Sequence, residues 1–121
     1  MKKVLVIDDE QIVRISSKRT LAPEGYDVTL AESGRDGIEI LERDTFDLVL
    51  LDLKMPDMGG IEVLKVIMER WPKTKVIIVT GFSTVDTAVE ALRIGAFNHI
   101  EKPFTPHSLL EAVNEVFEKK D

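Results

Sequence analysis

Five short apolar runs alternate with five segments of helical length along this chain, and Asp8-Asp9, Asp52, Thr80 and Lys102 stand at the ends of four of the runs. The runs span 4–7, 28–31, 46–51, 76–79 and 97–100; each carries β-branched or aromatic residues and is bounded by polar or turn residues, so each reads as a strand. Strict alternation of strand and helix constrains the fold more than any other feature. It calls for an α/β architecture in which a parallel sheet is covered by helices on both faces. The third and fourth runs are almost wholly apolar, as central strands covered on both sides should be.

The intervening segments carry helix signals. Ile12, Ile15, Arg19 and Ala22 fall on one face of the first, which stops near Pro23 and Gly25. Ser33 enters the second, with Gly37, Ile38 and Leu41 on one side, while Ile61, Leu64, Ile67 and Met68 serve a third that ends at Trp71-Pro72. Ser83, three residues before Asp86, predicts a cap for a fourth helix that carries Ala88, Val89 and Leu92 and ends at Gly95. Thr105-Pro106 opens a fifth, with Leu109, Leu110, Val113 and Phe117 inward and Lys119-Lys120 at the negative end of its dipole.

At 121 residues the chain has room for one core, and a single domain over 1–121 is expected. A net charge of -6 and the scatter of the lysines argue against nucleic acid or an anionic membrane as the main partner. No cysteine occurs, which removes disulfide and thiolate chemistry. No apolar run approaches the roughly 20 residues of a membrane span, and Met-Lys-Lys leads straight into VLVIDD without a leader pattern. A cytoplasmic protein is expected.

In a parallel α/β sheet the ligand site lies beyond the carboxyl ends of the strands. Asp8-Asp9, Asp52, Thr80 and Lys102 follow the first, third, fourth and fifth runs, so one sheet edge gathers all of them. Asp52 is placed as a nucleophile toward phosphorus, and Asp8 and Asp9 can offer hard oxygen ligands to magnesium. Lys102 and the Thr80 hydroxyl can hold phosphoryl oxygens. Taken singly, each has a plainer reading: Asp8 or Asp9 as a helix cap, Asp52 as a loop carboxylate, Thr80-Gly81 as a turn and Lys102-Pro103 as a strand exit. Their joint occurrence at four strand ends favours the site. Three carboxylates held together repel, so a cation is expected to raise thermal stability.

Over nearly its full length the chain resembles the receiver domain of two-component response regulators, through VLVIDDE, DLVLLDLKMPDMGG, VIIVTG and GAFNHIEKPF. The resemblance implies a flavodoxin-like five-stranded parallel sheet of order 2-1-3-4-5 with five helices. It implies that Asp52 accepts a phosphoryl group from a sensor histidine kinase or phosphotransfer protein. It also implies magnesium, or manganese in its place, held by Asp8, Asp9, Asp52 and the backbone carbonyl of Lys54, with Lys102 and Thr80 on the phosphoryl oxygens. The Lys102-Pro103 peptide is expected to be cis. Thr80 would signal to His99, where the family usually has tyrosine or phenylalanine, and so to the face of the fourth helix, fifth strand and fifth helix. Because histidine changes charge near neutrality, this departure predicts a pH-sensitive output.

Gly59 replaces a polar helix cap common in the family, with no functional loss expected, and bulky Phe82 predicts a long-lived phospho-form. An output domain or downstream protein, and a phosphorylation-dependent homodimer, are the implied partners. The stretch STVDTAVEALRIGAF is most similar to receivers of nitrogen-regulator-type transcriptional activators or hybrid kinases. Two competing readings are a phosphorylation-independent interaction module and a magnesium-dependent aspartyl-phosphate phosphatase. The phosphatase reading is weakened by Lys54, where such enzymes place a second acid. His99, His107 and Trp71 give no metal-ligand spacing, and Met55 and Met58 read as loop packing.

Overall fold

The computed structural model describes residues 1–81 and 85–118. Five strands, β1 (Lys3–Ile7), β2 (Asp27–Ala31), β3 (Leu48–Leu51), β4 (Lys75–Thr80) and β5 (Asn98–Glu101), form one parallel sheet in the order β2-β1-β3-β4-β5. The helices between and after them are α1 (Gln11–Leu21), α2 (Gly34–Arg43), α3 (Gly60–Arg70), α4 (Val85–Ile94) and α5 (Pro106–Val116). The winding direction reverses between β1 and β3, which places their carboxyl ends at the topological switch point.

Side chains alternate across a strand, and this separates two cores. Leu5, Ile7, Val49, Leu51, Val76 and Ile78 point to the face covered by α2, α3 and α4, where Leu41, Val63, Leu64, Ile67 and Ala91 meet them. Val4, Val6, Leu48, Leu50, Ile77 and Val79 point to the other face and pack on Leu21 of α1 and Leu109, Ala112 and Val113 of α5. Every β3 residue is buried, in keeping with a central strand.

Local chemistry explains the helix boundaries. The Ser33 hydroxyl accepts the Asp36 N–H at the start of α2, and Thr105 and Ser108 form a reciprocal capping box at α5 behind Pro106. Gly95, at φ +136°, ends α4 in the left-handed region that glycine tolerates. Trp71 is the C-cap of α3 and packs against the core, and Met55 and Met58 pack beneath the β3–α3 loop. His107 is exposed and lies one helical turn from Glu111.

Two sequence expectations are corrected. The α1 face read from the sequence points outward: Ile12 is 75% and Ile15 39% exposed and Arg19 is exposed, while Ser17 and Leu21 are buried. The inner face of α1 runs through half-buried Val13 and buried Ser17 and Leu21 at four-residue spacing, so the helical period holds but on a different face from Ile12 and Ile15. The third and fifth strands begin later than read, at Leu48 and Asn98; Phe46 is buried just ahead of β3 and Phe97 is 40% exposed. The cap expected at Ser83, the shielding by Phe82 and the charges of Lys119 and Lys120 fall outside the described residues. Among the described residues no helix is long and apolar enough to cross a membrane.

Candidate functional site

The ladder hydrogen bonds run to the very ends of the strands and deliver the polar residues to one edge. Asp8 N–H donates to the Ala31 carbonyl (3.1 Å), Asp52 N–H to Ile7 (3.1 Å) and Lys102 N–H to Thr80 (3.0 Å). Asp8, Asp52 and Thr80 are thereby buried, at 2%, 4% and 0% exposure. A cavity of about 500 Å³ opens above them, lined among others by Asp9, Asp52, Lys54, Thr80 and Lys102. The Lys102-Pro103 peptide is cis.

Lys102 is the charge centre. Its ammonium lies 2.8 Å from Asp8 Oδ2, 2.8 Å from Glu10 Oε1 and 3.4 Å from Asp52 Oδ2. Asp8 Oδ1 accepts the Glu10 N–H at 2.9 Å, and Asp52 Oδ1 accepts the Lys54 N–H at 3.2 Å. Burial pushes the Asp8 carboxyl above its usual range, and the hydrogen bonds from Lys102 and Glu10 only partly restrain it. Burial also works against the Lys102 ammonium, but its bonds to Asp8 and Glu10 and the attraction of Asp8 and Asp52 outweigh this, and its pKa is raised. The ammonium is therefore charged at any ordinary pH.

Carboxylate oxygens of Asp8, Glu10 and Asp52 lie within 4.8 Å of one another. Hard, anionic oxygen donors gathered this closely suit magnesium or a similar hard cation, and in this structure the Lys102 ammonium stands among them. Asp9, the second acid read from the sequence, lines the cavity, but the trio contains Glu10. Sequence reasoning missed Glu10 although it completes the VLVIDDE run, because spacing alone does not say which of three consecutive acids turns inward.

It also missed Asp57, in the β3–α3 loop, whose carboxylate accepts the N–H groups of Gly34 (3.3 Å) and Arg35 (3.2 Å) at the start of α2. Burial opposes the Asp57 charge, but the backbone donors of Arg35, Gly34 and Met58 outweigh it and hold this carboxyl below the usual range. The loop that carries Lys54 is tied to α2 through this contact. Gly60 is a third omission: its N–H donates to the Leu53 carbonyl at 2.9 Å, and it packs on the backbone that follows Asp52.

His99 pairs in register with Ile78 and so lies on the face covered by α2, α3 and α4. Its Nε2 is buried without a hydrogen-bond partner. A buried polar atom left unmatched costs stability. His99→Phe is expected to raise the free energy of unfolding by about 1 kcal/mol. Urea denaturation checks this, and a variant less stable than the parent contradicts it.

A model of the response regulator receiver domain matches residues 4–114. The chain belongs to this family, whose members are signalling modules of two-component systems. Among its relatives is the regulatory protein AtoC of Escherichia coli, 38% identical over 86% of this chain but only 23% of AtoC. Another is the chemotaxis protein CheY of Thermotoga maritima, 35% identical over 95% of this chain and 97% of CheY. The chain thus spans about a quarter of the length of the transcriptional regulators it matches and nearly all of CheY. A crystal structure of a CheY-like receiver domain from Methanospirillum hungatei superposes with a TM-score of 0.92 at 37% identity, over 95% of this chain and 92% of that one. These neighbours share the flavodoxin-like fold.

Proposed function

We propose that this chain is a phosphorylation-controlled switch in which Asp52 is the phospho-acceptor. The observation that carries the reading is the convergence of buried Asp8 and Asp52 on the Lys102 ammonium, with Thr80 beside them on the same cavity. In the reaction an Asp52 carboxylate oxygen forms a bond to phosphorus while the bond from phosphorus to the imidazole of a kinase phosphohistidine breaks, its electron pair staying on the imidazole. Asp8, Asp9, Asp52 and the Lys54 carbonyl would hold magnesium. A bound magnesium ion neutralises charge on the phosphoryl oxygens.

Lys102 would bind one phosphoryl oxygen and the Thr80 hydroxyl another. Thr80 moving toward that oxygen would vacate space toward His99 and so alter the face of α4, β5 and α5, which would contact an output domain, a downstream protein or a second copy of the chain. Relatives named as transcriptional regulators support a transcriptional output, and a sensor histidine kinase would be the donor, in the cytoplasm. One domain over 1–121 suffices for these steps. The phosphatase reading is disfavoured because Lys54 stands two residues after Asp52 and lines the cavity where a second acid would be needed.

Intact-mass spectrometry after incubation with acetyl phosphate tests the proposal. Addition of one phosphoryl group that requires magnesium is expected. A folded protein that gains none, with magnesium present, contradicts self-catalysed transfer from a small donor.

A further inference from the structure

We propose that Glu10 is a positioning residue: in the resting protein it holds Lys102 off the phosphoryl position, and it is the ligand Lys102 gives up when the phosphoryl group arrives. The inference rests on the switch reading above and adds a regulator of the same site. An ammonium has three N–H donors, and three carboxylate oxygens lie within 3.4 Å of Lys102. Its side chain is only 13% exposed, which leaves little water to supply alternatives. A phosphoryl oxygen can reach Lys102 only if one carboxylate lets go.

The three carboxylates are not equally free to do so. Asp8 is 2% exposed and fixed by the Glu10 N–H, so its carboxylate cannot swing away from Lys102 into water. Asp52 is the atom set being modified, and it already lies furthest from the ammonium, at 3.4 Å. The Glu10 side chain is 55% exposed at the N-cap of α1 and can pass to water at small cost. Its charge also stands beside the cavity that an anionic donor must enter. Both effects restrain phosphorylation, and both disappear with the carboxylate.

The experiment compares phosphorylation rates with acetyl phosphate at saturating magnesium, read by intact mass, for the parent, Glu10→Gln and Glu10→Asp. Glu10→Gln is expected to be faster by roughly threefold to tenfold. Glu10→Asp keeps the charge but withdraws it by one methylene, and is also expected to exceed the parent. Rates at or below the parent for both variants overturn the proposal, and so does a fast Gln variant with an Asp variant at the parental rate, which would mean field without contact. A second readout needs no phosphorylation: in metal-free protein, Glu10→Gln and Lys102→Met are expected to shift the melting temperature non-additively, by roughly 3 °C. Additive shifts overturn the latch. A parent that takes no phosphoryl group defeats self-catalysed transfer from a small donor, and the melting-temperature cycle still decides the contact.

Discussion

Gly60→Ala is expected to lower the free energy of unfolding by about 3 kcal/mol and to disturb the site beside it. A Cβ at this position would lie 2.3 Å from Leu53 Cα, 2.5 Å from the Asp52 carbonyl oxygen and 2.9 Å from the Leu53 carbonyl carbon. All three are backbone atoms, so no rotamer change relieves the overlap. Either α3 lifts away from the loop, losing the Gly60 N–H bond to Leu53, or the Asp52–Leu53 backbone shifts and carries the carboxylate with it. Gly59 provides the control. It is the N-cap of α3, no atom lies within 4 Å of its virtual Cβ, and its φ of -59° suits any residue. Gly59→Ser is expected to be neutral or to stabilise by a few tenths of a kcal/mol through a side-chain cap. Urea midpoints measure both, and equal stabilities of the two variants contradict the close-packing account.

Lys102→Met is expected to lower the stability of the metal-free protein by about 3 kcal/mol, because Asp8 and Asp52 would remain buried without their counter-charge. Millimolar magnesium is expected to restore part of the loss by mass action, since a cation in the acidic cluster replaces some of the missing charge. The pH dependence has a definite sign. The folded-state pKa of Lys102 is raised, so its contribution is complete below the unfolded value of about 10.4 and is lost only as pH rises through the higher folded value. Asp8 is also raised, so protonation in acid favours the native state and relieves the variant more than the parent. The gap between parent and variant should therefore hold from neutral to mildly alkaline pH and narrow in acid. Thermal melts across that range check this, and a variant as stable as the parent at pH 7 without metal contradicts it.

The architecture was legible because it follows from the coarsest pattern in the chain. Once the runs are taken as parallel strands, Asp8, Asp52, Thr80 and Lys102 must gather at one edge, and they do. What was hidden depends on distances rather than periods. The inner face of α1 carries Val13, Ser17 and Leu21 at four-residue spacing, and a serine in that row hides it from an apolar count, so the apolar Ile12 and Ile15 pointed to the wrong side. Among three consecutive acids, only the turn out of β1 decides that Asp8 is buried, Asp9 exposed and Glu10 folded back onto Lys102. The Asp57 contact to Gly34 spans 23 residues and leaves no local trace. The unmatched Nε2 of His99 is equally invisible without the packing around it.

The central claim is that Asp52 itself becomes phosphorylated. Borohydride reduces an aspartyl phosphate to homoserine and so marks the residue that carried it. Peptide mass mapping of the parent after acetyl phosphate, magnesium and borohydride is predicted to find homoserine at position 52, and none in Asp52→Asn treated alike. Homoserine at Asp8, Asp9 or Asp57, or unchanged trapping in the Asn variant, would contradict the account.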